Sequence, residues 1–174
     1  AVIFMNQHGI IDHNEILGKW NDPQVPNTYS HYGDPVMETL LTKMISTLEK
    51  HTKLNLMPTY SYARIYKKGD KLNRHKDRDA CEISTTLHLG GDTWPIYLEP
   101  SGKKGLKGKK INLKPGDMLV YKGCDVEHWR EVFTGKECAQ VFLHYNDKKS
   151  KFFKKNKFDS RPLLGLPPCF KKIK

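Results

Sequence analysis

From about residue 58 onward the chain is written in twos. In MPTYSYARIY, Tyr60, Tyr62, Arg64 and Tyr66 alternate with Ser61, Ala63 and Ile65, the period of a strand whose two faces meet different surroundings. CEISTTLHL repeats the pattern, with Glu82, Ser84, Thr86 and His88 on one face. WPIYLEP, INLKPGDMLVYKG, VEHWREV and CAQVFLHY supply further strands, separated by the Gly/Lys stretch SGKKGLKGKK, a Pro-Gly-Asp turn and Thr134-Gly135. At least six strands in about 90 residues predict a mainly β barrel or sandwich. Helical support comes from the segment before them. Asp34 and Pro35 suit a helix start, and Val36, Met37, Leu40, Leu41, Met44, Ile45 and Leu48 recur at three-and-four spacing as one apolar stripe. That stripe is core. Residues 1–33 read as short strands and turns around Pro23 and Pro26.

A chain of 174 residues with 37% hydrophobic content, three Trp, eight Tyr and seven Phe is expected to form one folded domain. No run approaches the roughly 18 apolar residues of a membrane span. The opening AVIFM lacks the length and basic start of a secretory leader, so a soluble, cytoplasmic monomer is expected. Cys81, Cys124, Cys138 and Cys169 are widely spaced, which suits reduced thiols better than disulfides or a zinc knuckle. The net charge is +11, yet Lys148 to Lys174 alone hold ten Lys or Arg against Asp159. The expected layout is therefore a domain over 1–147, with its core at 58–147, and a solvated, partly ordered basic tail over 148–174. Because the excess charge sits in this appendage, nucleic acid is not the favoured partner. An acidic partner for the tail is the sharper alternative.

The stretch LNRHKDRDACEIS raises a metal question. Two residues apart on a strand, His75 and Asp77 share a side and can reach one ion. With eight His and eleven Asp in the chain a bare H-x-D is cheap, and His13-Asn14-Glu15 is a near-match. His128, 51 residues beyond Asp77 and after the Pro-Gly-Asp turn, supplies a third ligand. Two imidazoles and one carboxylate leave half an octahedron open, which suits non-haem Fe(II) that must also bind a co-substrate and O2.

Tyr66-x-x-Gly69-x-x-Leu72-x-x-His75-x-Asp77, followed by PGDMLVYKG and His128, resembles the Fe(II)/2-oxoglutarate-dependent oxygenases, in particular the prolyl 4-hydroxylase group. The likeness spans roughly residues 58–147. It implies an α+β, mainly β fold: a double-stranded β-helix (jelly roll) supported by the N-terminal helix. It also implies a dioxygenase that consumes 2-oxoglutarate and O2 on Fe(II), with ascorbate as an optional extra. Succinate and CO2 are released as an unactivated C–H bond is hydroxylated, first of all on a proline in a peptide or protein. The group's second tyrosine is Leu72 here. Its Lys or Arg about ten residues past the distal His, which grips the 5-carboxylate of 2-oxoglutarate, is Cys138. A buried carboxylate still needs a cation or several donors. Arg130, on the His128 face of its strand, is the first candidate, Lys136 the second and Arg64 the third; an Arg64–Glu82 ion pair competes with the last. His88 and Tyr66 are candidate donors, and Tyr60, Tyr62 and Trp129 candidate walls for a proline ring. Two alternatives remain: a nucleic-acid demethylase of the same superfamily, favoured by the basic tail, and a jelly-roll binding module with a vestigial metal site, favoured by Cys138.

Overall fold

A computed structural model describes residues 17–171, so the His13-Asn14-Glu15 near-match lies outside the described residues. In chain order the elements are β1 (Tyr29–Tyr32), α1 (Pro35–Lys43), α2 (Ile45–Thr52), β2 (Leu56–Lys67), β3 (Leu72–His75), β4 (Ile83–Gly91), β5 (Ile96–Glu99), β6 (Lys109–Ile111), β7 (Met118–Tyr121), β8 (Glu127–Arg130), β9 (Glu137–Asp147) and α3 (Phe153–Asn156). They form a five-stranded sheet in the order β1-β2-β9-β4-β7 and a four-stranded sheet in the order β3-β8-β5-β6. Neighbours pair antiparallel in both. The mainly β jelly roll expected from the sequence is borne out.

Alternation decides what each strand offers to each side. Opposed pairs across β2, β9 and β4 (Tyr60 with His144 and Ser84, Tyr62 with Phe142 and Thr86, Arg64 with Gln140 and His88) turn one face of the larger sheet into the jelly roll. The other face carries Ile83, Val141, Leu143 and Tyr145. This apolar side is covered by Leu41 and Leu48 of the helices, and together these residues make the main core.

The single predicted helix is divided. α1 and α2 meet at Met44, whose backbone stays right-handed (φ −76°, ψ −12°). Its N–H donates to the Leu40 carbonyl and its own carbonyl accepts from Leu48, so the inward arc runs on without a break. Asp34 caps the start, its carboxylate accepting from the Val36 and Met37 N–H groups at 2.9 Å each. Val36 is not in the stripe: it is 70% exposed, and Glu38, one turn before Leu41, is buried instead. The reason is the tail. Arg161 reaches under α1, and its guanidinium donates to both Glu38 oxygens (2.6 and 3.2 Å) and to the Thr59 carbonyl. Both side chains of this pair are fully enclosed.

The tail thus packs on the fold up to Lys171, more closely than the solvated, partly ordered extension expected from its lysines. α3 packs against β9 and the short 3-10 turn Asp79–Cys81, and the turn Lys157–Ser160 packs against β2. Phe158, Asp159 and Ser160 are consecutive left-handed residues (φ 52°, 54° and 66°). Such conformations cost non-glycine residues free energy and persist where surrounding contacts impose them.

Candidate metal centre and its cavity

β3 lies antiparallel to β8 with His75 directly opposite His128, and the two imidazole centroids are 4.2 Å apart. Asp77 falls just past the end of β3 rather than on the strand. Its backbone N–H donates to the Gly123 carbonyl at 2.9 Å, which returns its carboxylate to the histidines. Asp77 Oδ1 is 3.6 Å from His75 Nε2 and 3.5 Å from His128 Nε2. The three ligand atoms lie within 4.8 Å of one another. Around an ion bound at about 2.1 Å, cis ligands stand about 3 Å apart, so a small contraction closes this set.

The surroundings orient each ligand atom. His75 Nδ1 donates to the Asn73 carbonyl (2.7 Å) and His128 Nδ1 faces the Val126 carbonyl (3.3 Å), which turns both Nε2 atoms inward. Asp77 Oδ2 accepts from the Ser84 hydroxyl at 2.9 Å. Burial pushes the Asp77 carboxyl up, but hydrogen bonds from His128 and His75 outweigh this and hold it far below the usual carboxylate range. Burial pulls His75 down, while Asp77 and the Asn73 carbonyl raise it above the ordinary imidazole value. Gly123 makes room for the carboxylate: a Cβ there would overlap Asp77 Oδ2, Ser84 Oγ and the Cys81 carbonyl.

The triad opens into a cavity of about 400 Å³. Tyr32, Tyr60 and Tyr62 form an aromatic wall; Tyr66, Leu72, Ile96, Tyr121 and Phe142 line it as well, with Lys76, Arg78 and Lys171 as cations. Arg64 is on this wall, but its acid partner is Asp22 (3.0 Å), not Glu82, which accepts from Asn146 and the Asp147 N–H. The irregular segment before β1 therefore contributes to the site. Gln24 accepts from Arg64 (2.9 Å) and its amide lies 3.3 Å from His75 Nε2, the atom a metal would use.

Arg130 lies one strand step beyond His128, opposite Leu72. It is completely buried; its guanidinium donates to the Trp94 carbonyl and, at 3.3 Å, to Thr86, while Nε has no partner. Among the described residues it has no acidic partner within ion-pair distance. Its charge is felt by Tyr66, Tyr121 and Cys138. The guanidinium of Arg130 therefore acts, from β8, on the Cys138 thiol of β9.

Four predicted site residues are not on the cavity wall: Arg130, enclosed behind it, and Trp129, Lys136 and His88. Trp129 follows His128 by one residue, so alternation turns it to the opposite face, where it stacks on Tyr97 (5.5 Å) and under Arg74 (4.1 Å). Lys136 is exposed in the turn before β9, its backbone N–H bound to Asp92. His88 keeps the inner face, but its ring nitrogens face the Leu113 and Gly90 carbonyls at 2.9 Å each.

The tail reaches the cavity wall through Lys171. Asp159 accepts from Tyr32 (2.6 Å), from both terminal nitrogens of Arg78 (2.6 and 2.7 Å) and from Lys171 (2.6 Å). Burial pushes its carboxyl up, yet the Arg78 hydrogen bonds and charge prevail and bring it down to about 2, below the ordinary 3.8. A carboxyl depressed by folding stabilises the fold above its unfolded pKa and loses that contribution as pH falls through the folded one. Between about pH 4 and pH 2, the wild type should lose more stability than Asp159→Asn in chemical denaturation. Equal losses in the two proteins would show that this carboxylate carries no net linkage.

No family model matches the sequence. No curated protein matches it either. Solved structures do. The chain is similar to an oxidoreductase of the 2OG-Fe(II) oxygenase family from Burkholderia pseudomallei (15% identity, TM-score 0.57, 69% of this chain and 68% of that one). A Pseudomonas putida prolyl-4-hydroxylase is similar over 84% of this chain and 83% of its own, at 14% identity and TM-score 0.54. HygX from Streptomyces hygroscopicus, solved with nickel and 2-oxoglutarate bound, is similar over 86% and 79%, at 14% identity and TM-score 0.58. At such identities the likeness is one of fold. The chain has the fold of the 2OG-Fe(II) oxygenases, and on that fold it sets two histidines and one aspartate together at the wall of a cavity.

Proposed function

We propose that the chain is an Fe(II)/2-oxoglutarate-dependent dioxygenase that hydroxylates a residue, first of all proline, in a peptide or protein segment. The observation that carries this reading is the pairing of the His75–Asp77–His128 set with a buried guanidinium, Arg130, that has no acidic counterpart among the described residues. An uncompensated buried charge is costly unless a ligand answers it. His75, Asp77 and His128 would hold the iron. With 2-oxoglutarate and O2, the bound iron supplies the oxidation of a C–H bond, and succinate and CO2 leave. The protein's own work is to orient and to exclude water. Arg130 would grip the 5-carboxylate, with the Tyr66 and Tyr121 hydroxyls beside it. Tyr60 and Tyr62, with Tyr32, would flank a substrate ring.

The test is succinate release by protein loaded with Fe(II) and 2-oxoglutarate, against a panel of proline-containing peptides and methylated oligonucleotides. A peptide should stimulate release above the uncoupled background; no release in any condition would favour a binding module. Arg130→Ala should raise the apparent KM for 2-oxoglutarate about tenfold or more, since a hydrogen bond to a charged group contributes roughly 1.5–3 kcal/mol. Metal affinity should not move. A large KM change in Arg64→Ala with none in Arg130→Ala would transfer the anchor to β2. A second reading, nucleic-acid demethylation, is favoured by the cations Lys76, Arg78 and Lys171 on the cavity wall, with Lys76 reaching the lysine-rich stretch before β6 at Gly102 (3.5 Å). Stimulation by methylated oligonucleotides and not by peptides would select it.

A further inference from the structure

Asp77 is not used up by the histidines. Its Oδ1 faces His75 and His128, whereas Oδ2 faces the other way, toward Ser84. The Ser84 hydroxyl is also 3.0 Å from His144 Nδ1. Cys81 ends the short turn after Asp77, and its thiol rests 3.0 Å from the Tyr60 hydroxyl. Ligand atoms of Asp77, Cys81 and His144 lie within 4.8 Å of one another, and all three residues line the cavity. Cys81 and His144 are buried, so bulk water does not compete freely for them.

We propose that Asp77, Cys81 and His144 form a second cation site, for a thiophilic divalent ion such as Zn²⁺ or Cd²⁺, sharing Asp77 with the His75–His128 pair. A carboxylate that offers one oxygen to each of two ions is a common bridge at short metal separations. Thiolate, imidazole and carboxylate together are a zinc-type donor set, and the thiolate discriminates against hard ions such as Mg²⁺. Ser84, between the two ligand groups, either yields its place or adds a hydroxyl. The thiol must give up its proton when the ion binds, so binding releases one proton to solvent. An ion held here would stand in the cavity beside the first site. The oxygenase reading is not required, because the sites differ in their histidines and only this one contains sulfur.

The probe is Co²⁺ added to metal-free protein, followed by calorimetry and by absorbance. The wild type should bind two equivalents, the second accompanied by a sulfur-to-cobalt charge-transfer band in the near ultraviolet. Cys81→Ser should lose that band and one equivalent and keep the other. Cys124→Ser should keep both equivalents and the band. His75→Ala should keep the band and lose the other equivalent, which separates failure of this site from failure of the iron reading. A single equivalent without the band in the wild type would overturn the proposal, as would a band that persists in Cys81→Ser. Should Cys81→Ser not fold, cadmium NMR of the wild type decides: a thiolate-ligated resonance supports the site, and resonances from oxygen and nitrogen ligation alone overturn it.

Discussion

Asp77→Ala is expected to abolish 2-oxoglutarate turnover and to remove metal binding at the His75–His128 pair, while the chain stays folded. The carboxylate is the single anionic ligand and sits between the two imidazoles, so its loss leaves two neutral donors and no charge to hold a divalent ion. The fold should survive because Asp77 lies after β3, outside the apolar clusters, and Ala keeps the backbone N–H that binds the Gly123 carbonyl. His75→Ala should behave alike. Succinate release, metal calorimetry and a thermal melt measured together check this; turnover near the wild-type level in both variants would refute the ligand assignment. A graded version is Ser84→Ala, which removes one hydrogen bond to Asp77 Oδ2 and should lower metal affinity by about 10–100-fold, as losses next to ligands do.

The second large effect is on stability. Arg161→Ala leaves the Glu38 carboxylate buried with its cation gone, and breaking such a pair from one side costs about 3–5 kcal/mol. For a chain of this size that corresponds to a fall in Tm of roughly 6–20 °C. Truncation after Asp147 removes the same guanidinium and should destabilise at least as much, so the basic tail is not a dispensable extension. Arg161→Met combined with Glu38→Leu should recover part of the loss, because no charge is then stranded. Urea unfolding of the three variants measures it. A melting point for Arg161→Ala within about 2 °C of wild type would mean that water reaches Glu38 and the enclosure of the pair does not hold.

What could be read from the sequence follows the strength of local periodicity. The strands from Leu56 to Asp147 announce themselves by alternation, and His75 and His128 fall on the inner face for the same reason. The phase of β8 also carried a signal that Trp129 must face away from His128, and that signal is what removes it from the cavity wall. Lys136 precedes β9, so the alternation of that strand does not orient it. Other features leave no local trace. Glu38 looks like a solvent residue inside an apolar stripe until Arg161, 123 positions later, reaches it. Asp22 and Gln24 come from an irregular segment, and Cys81 and His144 from different elements, so no spacing joins them. Among the described residues of the tail, Arg161 is the one buried base, and the lysines around it hide it in the sequence.

The pairing of β3 with β8 has a consequence for how this chain can change. His75 faces His128 while Leu72 faces Arg130, so one strand of four residues carries both the distal histidine and the proposed carboxylate anchor at a fixed phase. A substitution can alter either position by itself. An insertion or deletion inside β8 is different, because a shift of one residue would turn at least one of His128 and Arg130 outward and bring Glu127 or Trp129 in. Length changes should therefore be tolerated in the loop before β6 and in the turn before β9 but not between Glu127 and Arg130, and a single-codon indel scan would trace that boundary.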